Sequence, residues 1–289
     1  MTTQPHILMC PPRYYGIEYE INPWMNRERQ VDHELAVRQW SDLHAVLHEA
    51  GAKISLLEPI EGLPDLVFTA NAAMIYKRTA ILSRFLHEQR QGEEEHDADW
   101  LAEHGFEVRR LPAGMYFEGA GDALFCGDTL LAGYRIRSDA RAQQEVGRMV
   151  ACRVIPLELV SDQFYHLDTC FCPMTEGEAM YFPGAFDDYG RRVLEETIET
   201  LLPVDQEEAE SFACNAVVVG RTVVTNTGCP RLHAALSERG YEPRETPLGE
   251  FVKAGGSAKC LTLRLDGEEA ATWKSDAWKS DANGGAEVS

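Results

Sequence analysis

The feature that most constrains this chain is a recurring order of elements: hairpin, helix, strand. It returns about every 50 residues, the kind of period that marks a propeller or an array. Apolar spacing predicts a first strand at 7–10, ended by Pro11-Pro12, and a helix over 31–50. That helix carries Leu35, Val37, Trp40, Leu43, Val46 and Leu47 at roughly helical spacing and stops at Gly51. A strand follows at 53–57, and the stretch 64–71 leads into a hairpin whose second arm is 79–83. A helix at 96–104 and a strand at 106–111 precede the loop 117–122 and a hairpin running to Gly133. A helix at 139–150 and a strand at 153–159 lead to Tyr165-His166-Leu167-Asp168 and a hairpin ending near Phe182. The last unit has a helix at 189–202, a short acidic connection and a hairpin at 216–226 turning at Gly220-Arg221. A helix at 232–239 and a strand at 242–246 complete it.

The repeat is one of architecture, not of sequence. Each unit has too little apolar surface to bury its own face, so the units are expected to share one core. Strand 7–10 is expected to pair with the final hairpin and close a ring, which removes exposed sheet edges. The loops that lead into the hairpins would then meet at one end of the ring, carrying Asn71, Glu118, His166, Asp168 and Cys260. The fold class expected is α/β, and the catalytic unit is expected to span 1–266. Residues 267–289 hold a tandem WKSDA and read as a disordered, solvated tail.

Composition narrows the partners. The formal charge of -20 disfavours nucleic acid and anionic membranes, both of which need a basic surface. No apolar run is long enough to span a bilayer, and the start MTTQPHILMCPP lacks the features of a signal peptide. A cytoplasmic location is therefore expected, with the 8 cysteines as reduced thiols. No CxxC pair or His/Cys spacing of a zinc site occurs, so neither metal nor cofactor is expected. The sequence leaves a homo-oligomer open.

The chemistry concentrates in 251–265, where Gly255-Gly256 leads into Ser257-Ala258-Lys259-Cys260 and then an apolar strand. Taken alone, Cys260 reads as a small buried hydrophobe, the usual fate of a free cysteine. Its company changes that. A thiolate attacks best beside a cation such as protonated histidine, and His166 could also hand a proton to a leaving amine. Glu118 and Asp168 could hold a planar cation with fork-shaped, charge-assisted hydrogen bonds. A guanidinium is such a cation. The expected reaction is metal-free substitution at a guanidine carbon through a covalent thiouronium.

Phe68-Thr69-Ala70-Asn71, Phe117-Glu118-Gly119-Ala120-Gly121-Asp122, His166-Leu167-Asp168 and Gly255-Gly256-Ser257-Ala258-Lys259-Cys260 resemble the guanidino-group-modifying, amidinotransferase-like superfamily. That superfamily includes arginine deiminases, dimethylarginine hydrolases and amidinotransferases. The resemblance covers about 6–265 and implies the pentein fold, a five-bladed β/α propeller with a pseudo-five-fold repeat. The stretches LPDLVFTANA, FYHLDTCFCP, FACNAV and AGGSAKCLTLR look most like the arginine dihydrolase catalytic domain. The resemblance implies Cys260 as nucleophile, His166 as acid/base, and Glu118 and Asp168 as guanidinium holders. It further implies Asn22, Asn71, Asp65, Phe68, Gly119 and Ala258 at the substrate, with Arg84, Arg90 and Arg137 as candidates for its carboxylate. Deiminases typically carry aspartate where Asn71 stands. An amide both donates and accepts, so it suits a neutral ureido group as well as a cation. The reading is thus L-arginine taken through citrulline to ornithine, ammonia and carbon dioxide. Dimethylarginine hydrolase, deiminase, citrulline hydrolase and a non-catalytic binding protein are the alternatives.

Overall fold

The computed structural model describes residues 4–175 and 177–268. The tail anticipated from 267 onward therefore lies, beyond residue 268, outside the described residues. In chain order, β1 (His6–Met9) is followed by the helix His33–Glu49 and β2 (Lys53–Leu56). The hairpin β3 (Ala73–Tyr76) and β4 (Thr79–Leu82) leads through the helix Glu93–Glu103 to β5 (Glu107–Arg109). The hairpin β6 (Ala123–Cys126) and β7 (Thr129–Tyr134) leads through Ala140–Val150 to β8 (Arg153–Glu158). Next come β9 (Phe171–Thr175), β10 (Glu178–Tyr181), the helix Asp188–Thr197 and β11 (Thr200–Pro203). Then β12 (Val217–Val219) and β13 (Thr222–Asn226) precede the helix Pro230–Glu238, β14 (Glu242–Thr246) and β15 (Leu263–Arg264).

Among the described residues these strands form five sheets of three. In each sheet the middle strand runs antiparallel to one neighbour and parallel to the other, as β4 does with β3 and β5. A tight turn can supply the first pairing; the second needs a helical crossover. The remaining sheet joins the two ends of the chain: β1 is antiparallel to β15 and parallel to β2. Strand 7–10 thus meets the strand Leu263–Arg264, with Leu8 opposite Leu263, while the hairpin of β12 and β13 lies in another sheet. The interior is apolar and buried, with β6 and β9 covered along their whole length.

Several element boundaries differ from the expectation, and three of the differences have a visible cause. The first helix begins at His33, not 31, because Asp32 caps it by accepting from the Leu35 amide at 3.0 Å. The helix expected at 96–104 begins at Glu93, where Glu93, Glu94 and Glu95 in its first turn match the positive end of the helix dipole. The helix expected at 189–202 ends at Thr197. Extended Ile198 follows, and Thr200–Pro203 becomes a strand parallel to β10. No helix among the described residues is long and apolar enough to cross a membrane.

Candidate active site

Each hairpin is approached through a tight turn. Thr69–Asn71, Gly119–Gly121 and Leu167–Thr169 are single 3-10 turns that end two residues before β3, β6 and β9. Asn215 stands at the same point before β12. Hydrogen bonds link these turns and the 257–261 segment in a closed circuit. Asn71 Nδ2 donates to the Glu118 carbonyl at 3.1 Å, and the Leu167 amide to Asp122 Oδ1 at 3.0 Å. Asn215 Nδ2 donates to the Asp168 carbonyl at 3.0 Å, and the Lys259 amide to the Asn215 carbonyl at 3.3 Å. The Ala70 amide donates to the Cys260 carbonyl at 3.1 Å and completes it. The circuit is why residues scattered over the chain can share one site.

Cys260 is buried and lines a small polar pocket together with Asp65, Phe68, Asn71, Arg90 and Arg137. Its sulfur lies between an acceptor and a donor: Asp168 Oδ2 at 3.4 Å and Asn215 Nδ2 at 3.1 Å. Burial first, then the Asp168 charge, pushes the thiol well above its ordinary range. Burial likewise pushes the Asp168 carboxyl up to about 7, against the pull of Lys259. Two carboxylate oxygens here, Asp168 Oδ1 and Asp65 Oδ1, are buried without a hydrogen-bond partner among the described residues. A buried acceptor left unmade costs about 1–3 kcal/mol.

Glu118 is fully buried, and its Oε2 takes both His166 Nε2 at 2.7 Å and Arg137 Nη1 at 3.0 Å. Burial alone would raise this carboxyl. The Arg137 charge and the His166 hydrogen bond overcome that and hold it well below the usual carboxylate range. Behind it, Ser138 Oγ accepts from the Glu118 amide and donates to Asp122 Oδ2 at 2.6 Å. Gly119 serves the backbone: its φ is +62°, and a side chain would meet the Ala70 carbonyl at 2.9 Å.

The Asn71 amide has one orientation. Arg90 Nη1 can only donate, and it reaches Oδ1 at 2.9 Å, so Nδ2 faces the Glu118 carbonyl. Arg90 itself sets Nε and Nη2 on Glu93 at 2.9 and 2.7 Å. Asn22 also lines the cavity, but Nδ2 binds the Ala254 carbonyl and Oδ1 accepts from Trp24 and Met25 amides, which shapes its own loop. Ala258 is buried, with its carbonyl accepting from Thr262. Arg84 is not brought to the cavity. It is half-buried, and its backbone pairs with Phe117. Among the described residues no group of three or more His, Cys, Asp or Glu is placed to hold a metal ion.

Asn215 is not among the residues that the sequence pattern pointed to. Its signal is a repeated Phe-x-x-Asn-Ala, at 68–72 and again at 212–216.

The family described as N,N dimethylarginine dimethylhydrolase, eukaryotic, matches residues 17–265. The chain belongs to this family. Among members and relatives of the dimethylarginine dimethylhydrolase family, the bifunctional arginine dihydrolase/ornithine cyclodeaminase ArgZ of Synechocystis sp. is 47% identical over 264 residues. That match takes in 90% of this chain and 37% of ArgZ, so the chain spans little more than a third of that relative's length. The N(G),N(G)-dimethylarginine dimethylaminohydrolase of Mycobacterium tuberculosis is 37% identical, over 89% of this chain and 84% of the relative. The crystal structure of the ArgZ N-terminal domain, a cysteine-to-serine mutant bound to substrate, superposes with a TM-score of 0.87 at 46% identity. It covers 90% of this chain and 98% of that domain. Another structure of that domain, with an asparagine-to-serine change, is covalently bound to a reaction intermediate; the TM-score is again 0.87, at 46% identity. The α/β fold of this chain is therefore the one those structures share.

Proposed function

We propose that this protein is a hydrolase of the L-arginine guanidine group that works through a covalent adduct on Cys260 and carries the reaction to ornithine, ammonia and carbon dioxide. The observation that carries the reading is a buried thiol on a cavity wall beside two carboxylates with unpartnered oxygens, Asp65 and Asp168. A guanidinium has five N–H donors in a plane and would satisfy both. Its positive charge would also draw the Cys260 thiol down toward the thiolate. The five sheets are read as the blades of a closed β/α propeller, the pentein fold. The hydrogen-bond circuit and the sheet shared by both chain ends support that ring. Residues 1–266 then act as one catalytic domain, placed in the cytoplasm.

In the first round the thiol gives its proton to Asp168 Oδ2, and sulfur bonds to the guanidine carbon. His166, oriented by Glu118, gives a proton to the departing nitrogen, and ammonia leaves a thiouronium on Cys260. Water returns a proton to His166 and adds to the same carbon. The C–S bond then breaks, sulfur takes the proton of the new hydroxyl, and a ureido group remains. The Asp168 proton leaves with ammonia as ammonium. A second round on the ureido carbon releases another ammonia and leaves a carbamate that loses carbon dioxide. Arginine and two waters thus give ornithine, carbon dioxide and two ammonia.

Roles follow from what each side chain has left to give. Arg137 lines the cavity, spends one bond from each terminal nitrogen, and is assigned the substrate carboxylate. Arg90, forked onto Glu93, is assigned the orientation of Asn71. Asn71 offers an amide to the neutral second substrate. Dimethylarginine is the second reading, favoured by the family match and the Mycobacterium tuberculosis relative. Incubation with arginine, citrulline and dimethylarginine, with products identified by mass spectrometry, separates the readings. Ornithine from arginine supports the dihydrolase, accumulation of citrulline makes a deiminase, and turnover of dimethylarginine alone overturns both.

A further inference from the structure

We propose that Asn215 is a positioning residue for the nucleophile: its amide holds the Cys260 sulfur in line and donates a hydrogen bond that strengthens as the sulfur becomes negative. The proposal rests on the reading of Cys260 as the attacking group. Asn215 is fully buried, two residues before β12, at the point that Asn71 occupies before β3. Its amide cannot be turned over. The Cys260 backbone N–H can only donate and reaches Oδ1 at 3.2 Å, which leaves Nδ2 on the side of the sulfur.

The two Nδ2 hydrogens have two acceptors: the Asp168 carbonyl at 3.0 Å and Cys260 Sγ at 3.1 Å. One side chain therefore grips both the backbone and the sulfur of the nucleophile, and ties them to the turn that carries Asp168. The backbone carbonyl of Asn215 adds a third hold by accepting from the Lys259 amide at 3.3 Å. A thiol sulfur is a weak acceptor; a thiolate is a charged one. The Nδ2 bond thus gains strength as the proton passes to Asp168 Oδ2, and a donor already in place needs no reorganisation at that moment. Asp168 and Asn215 divide the work on one atom: the first takes the proton, the second meets the charge left behind.

The test is the pH dependence of Cys260 alkylation by iodoacetamide without substrate, followed at the labelled peptide by mass spectrometry. It is run on the full chain and on Asn215→Asp and Asn215→Ala. Asp keeps an acceptor for the Cys260 amide but sets a carboxylate against the sulfur; Ala removes both contacts. Both variants are expected to move the alkylation midpoint to higher pH, Asp furthest. With arginine, kcat is expected to fall roughly ten- to a hundred-fold with KM little changed. Because alkylation is read without substrate, a wild type inactive on arginine would sink the functional reading and leave this test standing. Folded variants with the wild-type alkylation midpoint and kcat would overturn the proposal. If neither variant folds, the side-chain amide ¹⁵N resonance of Asn215 in the wild-type chain decides. It should shift as Cys260 titrates, and a resonance that ignores that titration overturns the proposal equally.

Discussion

Eight cysteines share this chain, and their neighbours, not their burial, sort them. Cys260 has an acceptor, a donor and a cavity beside it. Burial holds Cys170 and Cys214 well above the ordinary thiol range and lifts Cys172 to about 12, with no cavity containing Asp65 nearby. Cys260→Ala is therefore expected to abolish turnover in a protein with wild-type circular dichroism. Alanine at Cys170, Cys172 or Cys214 should keep kcat and cost only packing, about 1 kcal/mol each in urea unfolding. At Asn71 the locked amide makes a sharper case. Asn71→Asp keeps the Arg90 contact but points a carboxylate oxygen at the Glu118 carbonyl, where a donor now sits at 3.1 Å. The lost and opposed hydrogen bond should cost about 1–3 kcal/mol, or roughly ten- to hundred-fold, and mainly on the neutral substrate. The ornithine-to-citrulline ratio from arginine is expected to fall; an unchanged ratio would remove Asn71 from the second round. Asn71 was legible in the sequence because it departs from an acidic pattern. Arg84, Arg90 and Arg137 were legible as arginines near the right loops, but not in their duties. Only the structure keeps Arg84 off the pocket and puts Arg90 on Glu93 and Arg137 on Glu118.

The turns that precede the hairpins are where sequence and geometry agree best. Cys260, His166, Glu118 and Asp168 could be singled out because each stands where a glycine-rich or polar stretch runs into an apolar strand. Asn215 stands in such a place too, yet FACNAV reads as an ordinary buried run until the matching FTANA is laid beside it. Elements defined by strong periodicity, such as the helix His33–Glu49, were legible. Short ones were not. Thr200–Pro203 continues the apolar spacing of the preceding helix, and only its pairing with β10 makes it a strand. The turn Gly119–Gly121 offers a prediction at this scale. A methyl at Gly121 would collide with Asn71 Nδ2 and lie 3.4 Å from the His166 ring. Gly121→Ala should therefore displace the Asn71 amide while the hairpin survives, at an overpacking cost of about 1–3 kcal/mol. Turnover of citrulline should fall further than turnover of arginine, measured with each as the only substrate. Equal losses on both would mean that the turn tolerates the methyl without moving Asn71.

For the whole molecule, the two chain ends share a sheet and five turns share a hydrogen-bond circuit, so charge placed at that circuit is felt by the fold as well as by the reaction. The sequence could announce the repeat but not the circuit, which is mostly backbone carbonyls and amides that any residue carries. Two carboxyls at these turns pull stability in an unusual direction. Burial lifts Asp122 to about 6 and Asp168 to about 7, above their ordinary value of 3.8. A folded pKa raised above the unfolded one gives stability that is full below the unfolded pKa and is lost as pH rises through the folded pKa. Glu118 runs the other way, but its carboxyl is held so low that it does not titrate between pH 5 and 8. The formal charge of -20 adds self-repulsion that grows with pH. The unfolding free energy from urea titrations is therefore expected to rise as pH falls from 8 toward 5, by an amount on the order of a few kcal/mol. Activity should do the opposite. In the proposed reaction Asp168 is ionised when it takes the thiol proton, so kcat should decline as pH drops through about 7. Asp168→Asn separates the two effects: it should abolish turnover and lessen the slope of the stability profile above pH 6, part of which remains because burial also lifts Glu93 to about 7. A variant that keeps the wild-type slope would show that the pH dependence of the fold arises elsewhere, and would take Asp168 out of its role as proton acceptor if turnover also survived.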